Sequence, residues 1–283
     1  MRGMGTIIAY GLREALRRKV FAVVLLLTLL FLGLFWLANH YAFRDLDAVA
    51  PPIGIDARGF VGATIFGLAM FATLFLGVVL AVFLTLGAIG GDAERGLLQP
   101  LVVRPIGRST LLAARWVGTV AVTAPYVGAV YVAAMVITGF TGHWWPDEKV
   151  VPVVELAAAV AIIAALSLLG SVFLSATANG IGIFMLFGAG LVSGLLGTIG
   201  HALNSHTLRH AARLASYALP FEALYQDALH AITAHTSGLT GFLLELGPFG
   251  GAYTTGTLVR LWAVLYLGFV VAAALLVFSR RDL

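Results

Sequence analysis

Long apolar runs separated by short polar stretches dominate the pattern of this 283-residue chain. A transmembrane helix needs about 20 mainly apolar residues. Six runs are long enough, at about 20–38, 61–89, 113–138, 153–175, 181–200 and 258–278. Because a segment in lipid must satisfy its own backbone hydrogen bonds, runs of this length cross the bilayer as helices. The pattern predicts an all-α polytopic membrane protein, with six transmembrane helices in one domain over residues 1–283.

The segment before the first run, residues 5–19, is amphipathic and basic. Its apolar residues recur at helical spacing, while Arg13, Arg17 and Arg18 lie mostly off that face. This pattern predicts an N-terminal helix lying in the membrane interface. The alternative is an ordinary basic flank that only sets the topology.

The largest segment outside the predicted spans is 201–251. One stripe of apolar residues at helical spacing crosses its middle: Phe221, Leu224, Tyr225, Ala228, Leu229 and Ile232. Pro220 stands just before the stripe, where a first-turn proline is favoured. We expect one or two short helices here, lying across the outer end of the bundle.

Composition and charge support this membrane class and give it an orientation. The chain is 60% hydrophobic and only 11% charged, far from the composition of a soluble domain. With the N-terminus inside, the inner segments hold eleven basic and four acidic residues, and the outer segments six basic and nine acidic. The positive-inside rule therefore predicts that both termini are cytoplasmic. This asymmetry explains the net positive charge of the chain without a nucleic-acid partner. Arginine is far more frequent than lysine, which suggests a bacterial protein and therefore the bacterial cytoplasmic membrane.

Some function classes are disfavoured by what the sequence lacks. The only charged residues of the predicted spans, Arg115, Glu155 and Arg260, lie near span ends. Ion-coupled transporters usually place such residues deep in the membrane. Neither Lys19 nor Lys149 stands in a phosphate-binding GxxxxGK[ST] loop. The chain is therefore predicted not to be an enzyme, to hold no cofactor, and to take any ATP-derived energy from another subunit.

Small residues crowd the fifth run. Gly190 and Gly194 form a GxxxG pattern, and Ser193 and Gly197 extend it into a ridge of small residues. Such a ridge allows close helix packing in membranes. The sequence leaves open whether the partner helix belongs to the same subunit or to a second copy.

All seven histidines fall on the predicted outer side. His206 and His210 are four residues apart and would share a helix face, as two metal ligands can. The protease pattern HExxH is absent. The more ordinary interpretation is surface histidine, and a metal-binding or pH-sensing role is the alternative.

The loop between the second and third runs, 91–110, combines charge with a short apolar face. Asp92 and Glu94 stand at its start and Arg104 and Arg108 near its end, which suits the two ends of a helix dipole. Pro105 would end such a helix. A short amphipathic helix on the inner face is suited to bind in a cleft of a soluble partner protein. The alternative is a positive loop that only fixes topology.

This loop resembles that of ABC-2-type exporter permeases, which have the type V exporter fold. "DAERGLLQPLVVRPIGR" matches their acid-x-acid-Arg-Gly opening and Pro-x-x-Arg ending. It departs from their pattern at Leu97, Gln99 and Pro100. The resemblance implies a cytoplasmic coupling helix that contacts an ATPase through these residues: Asp92, Glu94, Arg95, Gly96, Leu98, Leu101, Arg104, Pro105 and Arg108. It also implies that Arg13, Arg17 and Arg18 belong to an elbow helix.

The resemblance further implies an assembly and a function. Two ABC ATPase subunits, holding ATP and magnesium, would bind beneath this chain and a second permease copy. The complex would move a substrate outward, and the absence of deep charges favours a lipid-like or amphipathic one. Two alternatives remain open: a metal- or sulfur-handling permease of copper-enzyme assembly, and an outer-face membrane enzyme using His206 and His210.

Overall fold

The computed structural model describes residues 19–47, 56–86, 108–236, 238–246 and 256–279. Within these residues every regular element is a helix, and there is no strand. The helices are α1 (Lys19–Asp47), α2 (Ala57–Thr85), α3 (Arg108–Gly142), α4 (Val151–Phe173), α5 (Ala176–Ala202), α6 (His206–Ala218), α7 (Pro220–Ala231), α8 (Gly238–Leu246) and α9 (Gly256–Ser279).

Six of these helices, α1 to α5 and α9, are long and apolar enough to cross a membrane. The predicted all-α fold with six spans is therefore confirmed. α1 and α3 are longer than the apolar runs that predicted them. α3 continues through Pro125, and such a proline is tolerated in a membrane helix because neighbouring groups can satisfy the freed backbone carbonyl.

The bundle is centred on α2 and α4. About two thirds of the most apolar window of each is buried (67%), compared with 17% for α1 and 22% for α9. α4 packs against α2, α3, α5, α7 and α9. The core between these helices is made of fully buried side chains such as Leu74, Leu156 and Ile163. α1 and α9 are peripheral, with wide apolar faces turned outward.

Contacts between helix termini define the two ends of the bundle. Gly142, the last residue of α3, lies against Phe43 near the end of α1, and Gly62 near the start of α2 lies against Trp144. We call this the hairpin end, and we use the word hairpin for the two consecutive short helices α6 and α7 that follow α5 there. It is the end that the charge pattern predicts to be outer.

A hydrogen-bonded junction holds the opposite end together. The hydroxyl groups of Thr85 in α2 and Ser167 in α4 are 2.7 Å apart. The Asn179 amide of α5 donates to the Ser167 carbonyl at 2.8 Å. A Cβ atom on Gly170 would overlap the Asn179 amide, so a glycine is needed there. Three spans therefore meet where the chain leaves α2 toward residues 87–107, which lie outside the described residues.

The fold of segment 201–251 differs from the prediction of one or two short helices lying across the outer end of the bundle. It contains α6, α7 and α8, and α7 is inserted among α4, α5, α6 and α9. All residues of α7 are buried except His230, which is partly buried. The apolar stripe was located correctly, but the polar side of α7 faces protein instead of water. Glu222, Gln226 and Asp227 lie on that side and have partners within the bundle.

Candidate functional site

The backbone of α7 is satisfied at both ends, which lets the helix lie inside the bundle. Pro220 occupies its first position, where a missing N–H group costs no helical hydrogen bond. At the other end the N–H groups of Asp147 and Glu148 donate to the carbonyls of Ile232 and Ala231, at 3.1 and 3.2 Å. The short α3–α4 turn thus provides the partners that the last carbonyls of a buried helix require.

The small-residue ridge of α5 lies against α7 of the same chain. A Cβ atom on Gly190 would overlap the Phe221 ring, and one on Gly194 would overlap the Glu222 carboxyl group. Ser193 and Gly197 are also buried on this helix. The sequence left the partner of the ridge open. In the structure Gly190 and Gly194 bring α5 and α7 close together within one subunit.

Glu222 is a carboxyl group enclosed by protein. Only 1% of the residue is exposed. Its Oε1 accepts a hydrogen bond from the Gln226 amide at 2.8 Å, while Oε2 has no hydrogen-bond partner among the described residues. Burial raises its pKa to about 8, although the Gln226 hydrogen bond acts in the opposite direction. At neutral pH this group therefore mainly keeps its proton, which avoids a buried unpaired charge.

A second group of charged residues joins three helices. Arg260 of α9 places its Nε 2.8 Å from Glu155 Oε1 of α4 and 2.8 Å from Asp227 Oδ2 of α7. The two acidic side chains are almost wholly buried, at 6% and 4% exposure, while that of Arg260 is 46% exposed. One guanidinium group therefore lies between two carboxylates and fixes α7 to α4 and α9. We call these three residues the arginine cluster.

The arginine cluster was only partly visible in the sequence. Glu155 and Arg260 are the fifth residues of α4 and α9, two helices that begin at the hairpin end, and the sequence already placed both near span ends. Asp227 was missed because it stands outside the predicted spans, in the segment expected to lie across the outer end of the bundle. The three residues are separated by 33 and 105 positions, so no local spacing pattern could bring them together.

The two candidate metal ligands are on the surface. His206 and His210 are both exposed on α6. Within the described residues there is no group of three or more His, Cys, Asp or Glu side chains that could hold a metal ion.

Almost all residues predicted to contact an ATPase lie outside the described part of the chain. Arg108 is the first residue of α3. The remaining coupling residues and the elbow arginines lie outside the described residues: Asp92, Glu94, Arg95, Gly96, Leu98, Leu101, Arg104, Pro105, Arg13, Arg17 and Arg18.

The helical bundle with the buried helix α7 defines a polytopic α-helical membrane protein. A family model described as "ABC-2 family transporter protein" matches residues 6–283, almost the whole chain. The chain therefore belongs to the ABC-2 transporter family, which confirms the resemblance seen in the loop after the second span. Members of this family are transmembrane permeases that work with an ABC ATPase. No curated protein matches the chain.

Proposed function

We propose that this chain is the permease subunit of an ATP-driven exporter that moves a lipid-like or amphipathic substrate outward across a bacterial cytoplasmic membrane. The observation that carries this proposal is the family match over residues 6–283. It is supported by the six apolar helices. Since the sequence contains no phosphate-binding loop, ATP and magnesium belong to a separate ATPase subunit.

The coupling helix is assigned to residues 91–110, with Asp92 and Glu94 at its start and Arg104 and Arg108 at its end. Of the described helices that flank this segment, α2 has Thr85 as its last residue and α3 has Arg108 as its first. The junction of Thr85, Ser167 and Asn179 supports the assignment. It links the end of α2 to α4 and α5, so that a displacement of the coupling helix reaches three spans.

The working assembly contains two copies of the permease and two ATPase subunits, with both permease termini in the cytoplasm. The elbow helix, residues 5–19, lies in the inner membrane interface. The outward apolar faces of α1 and α9 support contact with lipid or with the second copy. Leu29 is 71% exposed and Leu258 81% exposed, which water would disfavour.

The test is affinity purification of the full chain from its native membrane, followed by identification of co-purifying proteins. We expect an ABC ATPase in about equal amount. Glu94→Arg and Arg108→Glu reverse charges in the coupling segment and should each weaken its recovery or its stimulated hydrolysis. Arg44→Glu is the matched control, because Arg44 is exposed at the hairpin end, and it should leave the ATPase bound.

Two results would contradict the proposal. The first is a chain purified without any ATPase. The second is unaltered recovery and ATPase stimulation in both coupling variants, which would remove the role of residues 91–110. Bound metal lost on changing His206 and His210, in the absence of an ATPase, would favour the outer-face enzyme instead.

A further inference from the structure

The helix α6 carries a concentration of basic and imidazole side chains at the hairpin end. Its thirteen residues, His206–Ala218, contain no acidic residue and four basic or imidazole side chains: His206, Arg209, His210 and Arg213. The helix turns Ala212 and Ser216 toward the bundle, where both are buried. These four side chains therefore lie toward the surface of the hairpin.

Four of the outward side chains form one stripe along α6. His206, His210, Arg213 and Tyr217 are spaced by four, three and four residues, which places them on one helix face, and all four are exposed. Arg209 lies beside the stripe and is held by a 2.8 Å hydrogen bond to the Asn204 side chain. Within the described chain, Arg213 has no hydrogen-bond or ion-pair partner.

An apolar strip runs beside the basic stripe. Leu214 is 59% exposed, and Ala211 and Ala218 are exposed on the same side of the helix. The outward surface of α6 is thus basic along one edge and apolar along the other. Amphipathic helices with such a surface lie where lipid headgroups meet acyl chains.

Contacts with two spans give the depth of α6. Its first turn lies at the end of α5, because a Cβ atom on Gly200 would approach the Leu208 Cβ and the Arg209 nitrogen to 3.0 Å. Its last turn lies beside α9, where the Trp262 indole donates to the Tyr217 carbonyl at 2.9 Å. Trp262 is the seventh residue of α9 and lies about 9 Å from the start of that helix. The stripe therefore runs from the end of the bundle inward.

We propose that the exposed face of α6 binds the headgroup of an anionic phospholipid, with the phosphate on Arg213 and His210 and an acyl chain along Leu214. Arg213 is exposed and has no protein partner among the described residues, so its guanidinium group is available to an anion. Two oxygens of a phosphate group can accept the pair of parallel hydrogen bonds that a planar guanidinium group donates. The imidazoles of His206 and His210 add hydrogen-bond donors on the same face.

A second copy of the chain is a poorer occupant of this face. Two-fold packing through α6 would place the same basic stripe opposite itself, and like charges facing each other disfavour an interface. A phospholipid complements both the charge and the neighbouring apolar strip. Lipid binding by α6 requires neither an ATPase nor transport. A negative result for lipid binding would therefore leave the proposed exporter function intact, and a negative result for the exporter function would leave lipid binding intact.

The experiment is native mass spectrometry of the full chain in detergent, titrated with dioleoylphosphatidylglycerol, dioleoylphosphatidylcholine or inorganic phosphate. We expect phosphatidylglycerol to bind more tightly than phosphatidylcholine, and inorganic phosphate not to displace it. Arg213→Gln should weaken phosphatidylglycerol binding about fivefold, the effect of one basic residue near an anionic lipid surface. The double variant His206→Gln with His210→Gln should weaken it independently. Arg44→Gln, an exposed arginine at the same end, should leave it unchanged.

Three outcomes would overturn the proposal. Equal affinity for the two lipids would remove the headgroup specificity. Displacement of phosphatidylglycerol by inorganic phosphate would mean that the face holds a free anion instead of a lipid. Loss of a dimer in Arg213→Gln, with lipid binding unchanged, would assign the face to a second copy of the chain. Unfolding midpoints of all variants in the same detergent establish that each one is folded.

Discussion

Gly194 of α5 lies directly against the carboxyl group of Glu222 on α7, with no room for a Cβ atom between them. One turn earlier in α5, Gly190 lies in the same way against the Phe221 ring. Close approach of two backbones through small residues is the usual means of helix association in membranes. Here it joins a transmembrane helix to a buried hairpin helix and encloses a carboxyl group between them.

Gly194→Ala should therefore destabilise the chain. The added methyl group would displace the Glu222 and Gln226 side chains, and overpacking of this kind costs about 1 to 3 kcal/mol. Gly188→Ala is the matched control, because a Cβ atom at Gly188 of the same helix meets nothing within 4 Å. Thermal unfolding in detergent should show a lower midpoint for Gly194→Ala only. Equal midpoints for the two variants would mean that α5 and α7 are not in close contact.

Burial of Glu222 predicts a dependence of stability on pH. Its folded pKa of about 8 exceeds its ordinary value of 4.5, so between these values the folded chain holds a proton that the unfolded chain has lost. The free energy of unfolding should therefore fall as pH rises from about 5 to 8. Glu222→Gln keeps the shape of the side chain and removes the titration, which should flatten this part of the profile.

The measurement is the unfolding midpoint of both proteins across this pH range. The informative quantity is the difference between the two slopes, since other groups titrate equally in both. Parallel profiles would show that Glu222 does not retain its proton on folding. A wild-type protein that becomes relatively more stable with rising pH would contradict the sign of the shift.

The arginine cluster should contribute strongly to stability although Arg260 is half exposed. Arg260→Met would leave the carboxyl groups of Glu155 and Asp227 buried without their shared cation. Removing one partner of a buried ion pair typically costs about 3 to 5 kcal/mol. Arg44→Met provides the comparison, because Arg44 and Asp45 form an exposed pair at 3.8 Å, and such pairs contribute about 1 kcal/mol or less.

Denaturant or thermal unfolding of the two variants distinguishes these cases. Replacing both acids as well, by Glu155→Gln and Asp227→Asn in the Arg260→Met background, should recover part of the lost stability, because no buried charge is then left alone. A loss for Arg260→Met no larger than that for Arg44→Met would show that the three-helix contact is not important for folding.

Much of the architecture followed from the sequence because membrane spans are a local property. Twenty apolar residues in succession have few structural options in lipid, and the coupling motif is contiguous. The position of α7 could not be found in this way. Its acidic side resembles a solvated helix face until Gln226, Gly194 and Arg260 are placed around it. Those partners come from α7 itself, α5 and α9, and only the tertiary fold brings them together.

The junction at the opposite end of the bundle should matter for transport more than for stability. Asn179→Ala removes the 2.8 Å hydrogen bond to the Ser167 carbonyl, and one such bond contributes about 1 kcal/mol. If the junction transmits motion from residues 91–110 to α4 and α5, the variant should lose ATP-dependent transport while it stays folded. Thr198→Ala is the matched control, because the Thr198 hydroxyl donates to the Gly194 carbonyl within the same helix, α5, at 3.3 Å. Transport and ATPase stimulation would be compared in the reconstituted complex, and unchanged coupling in Asn179→Ala would exclude this path.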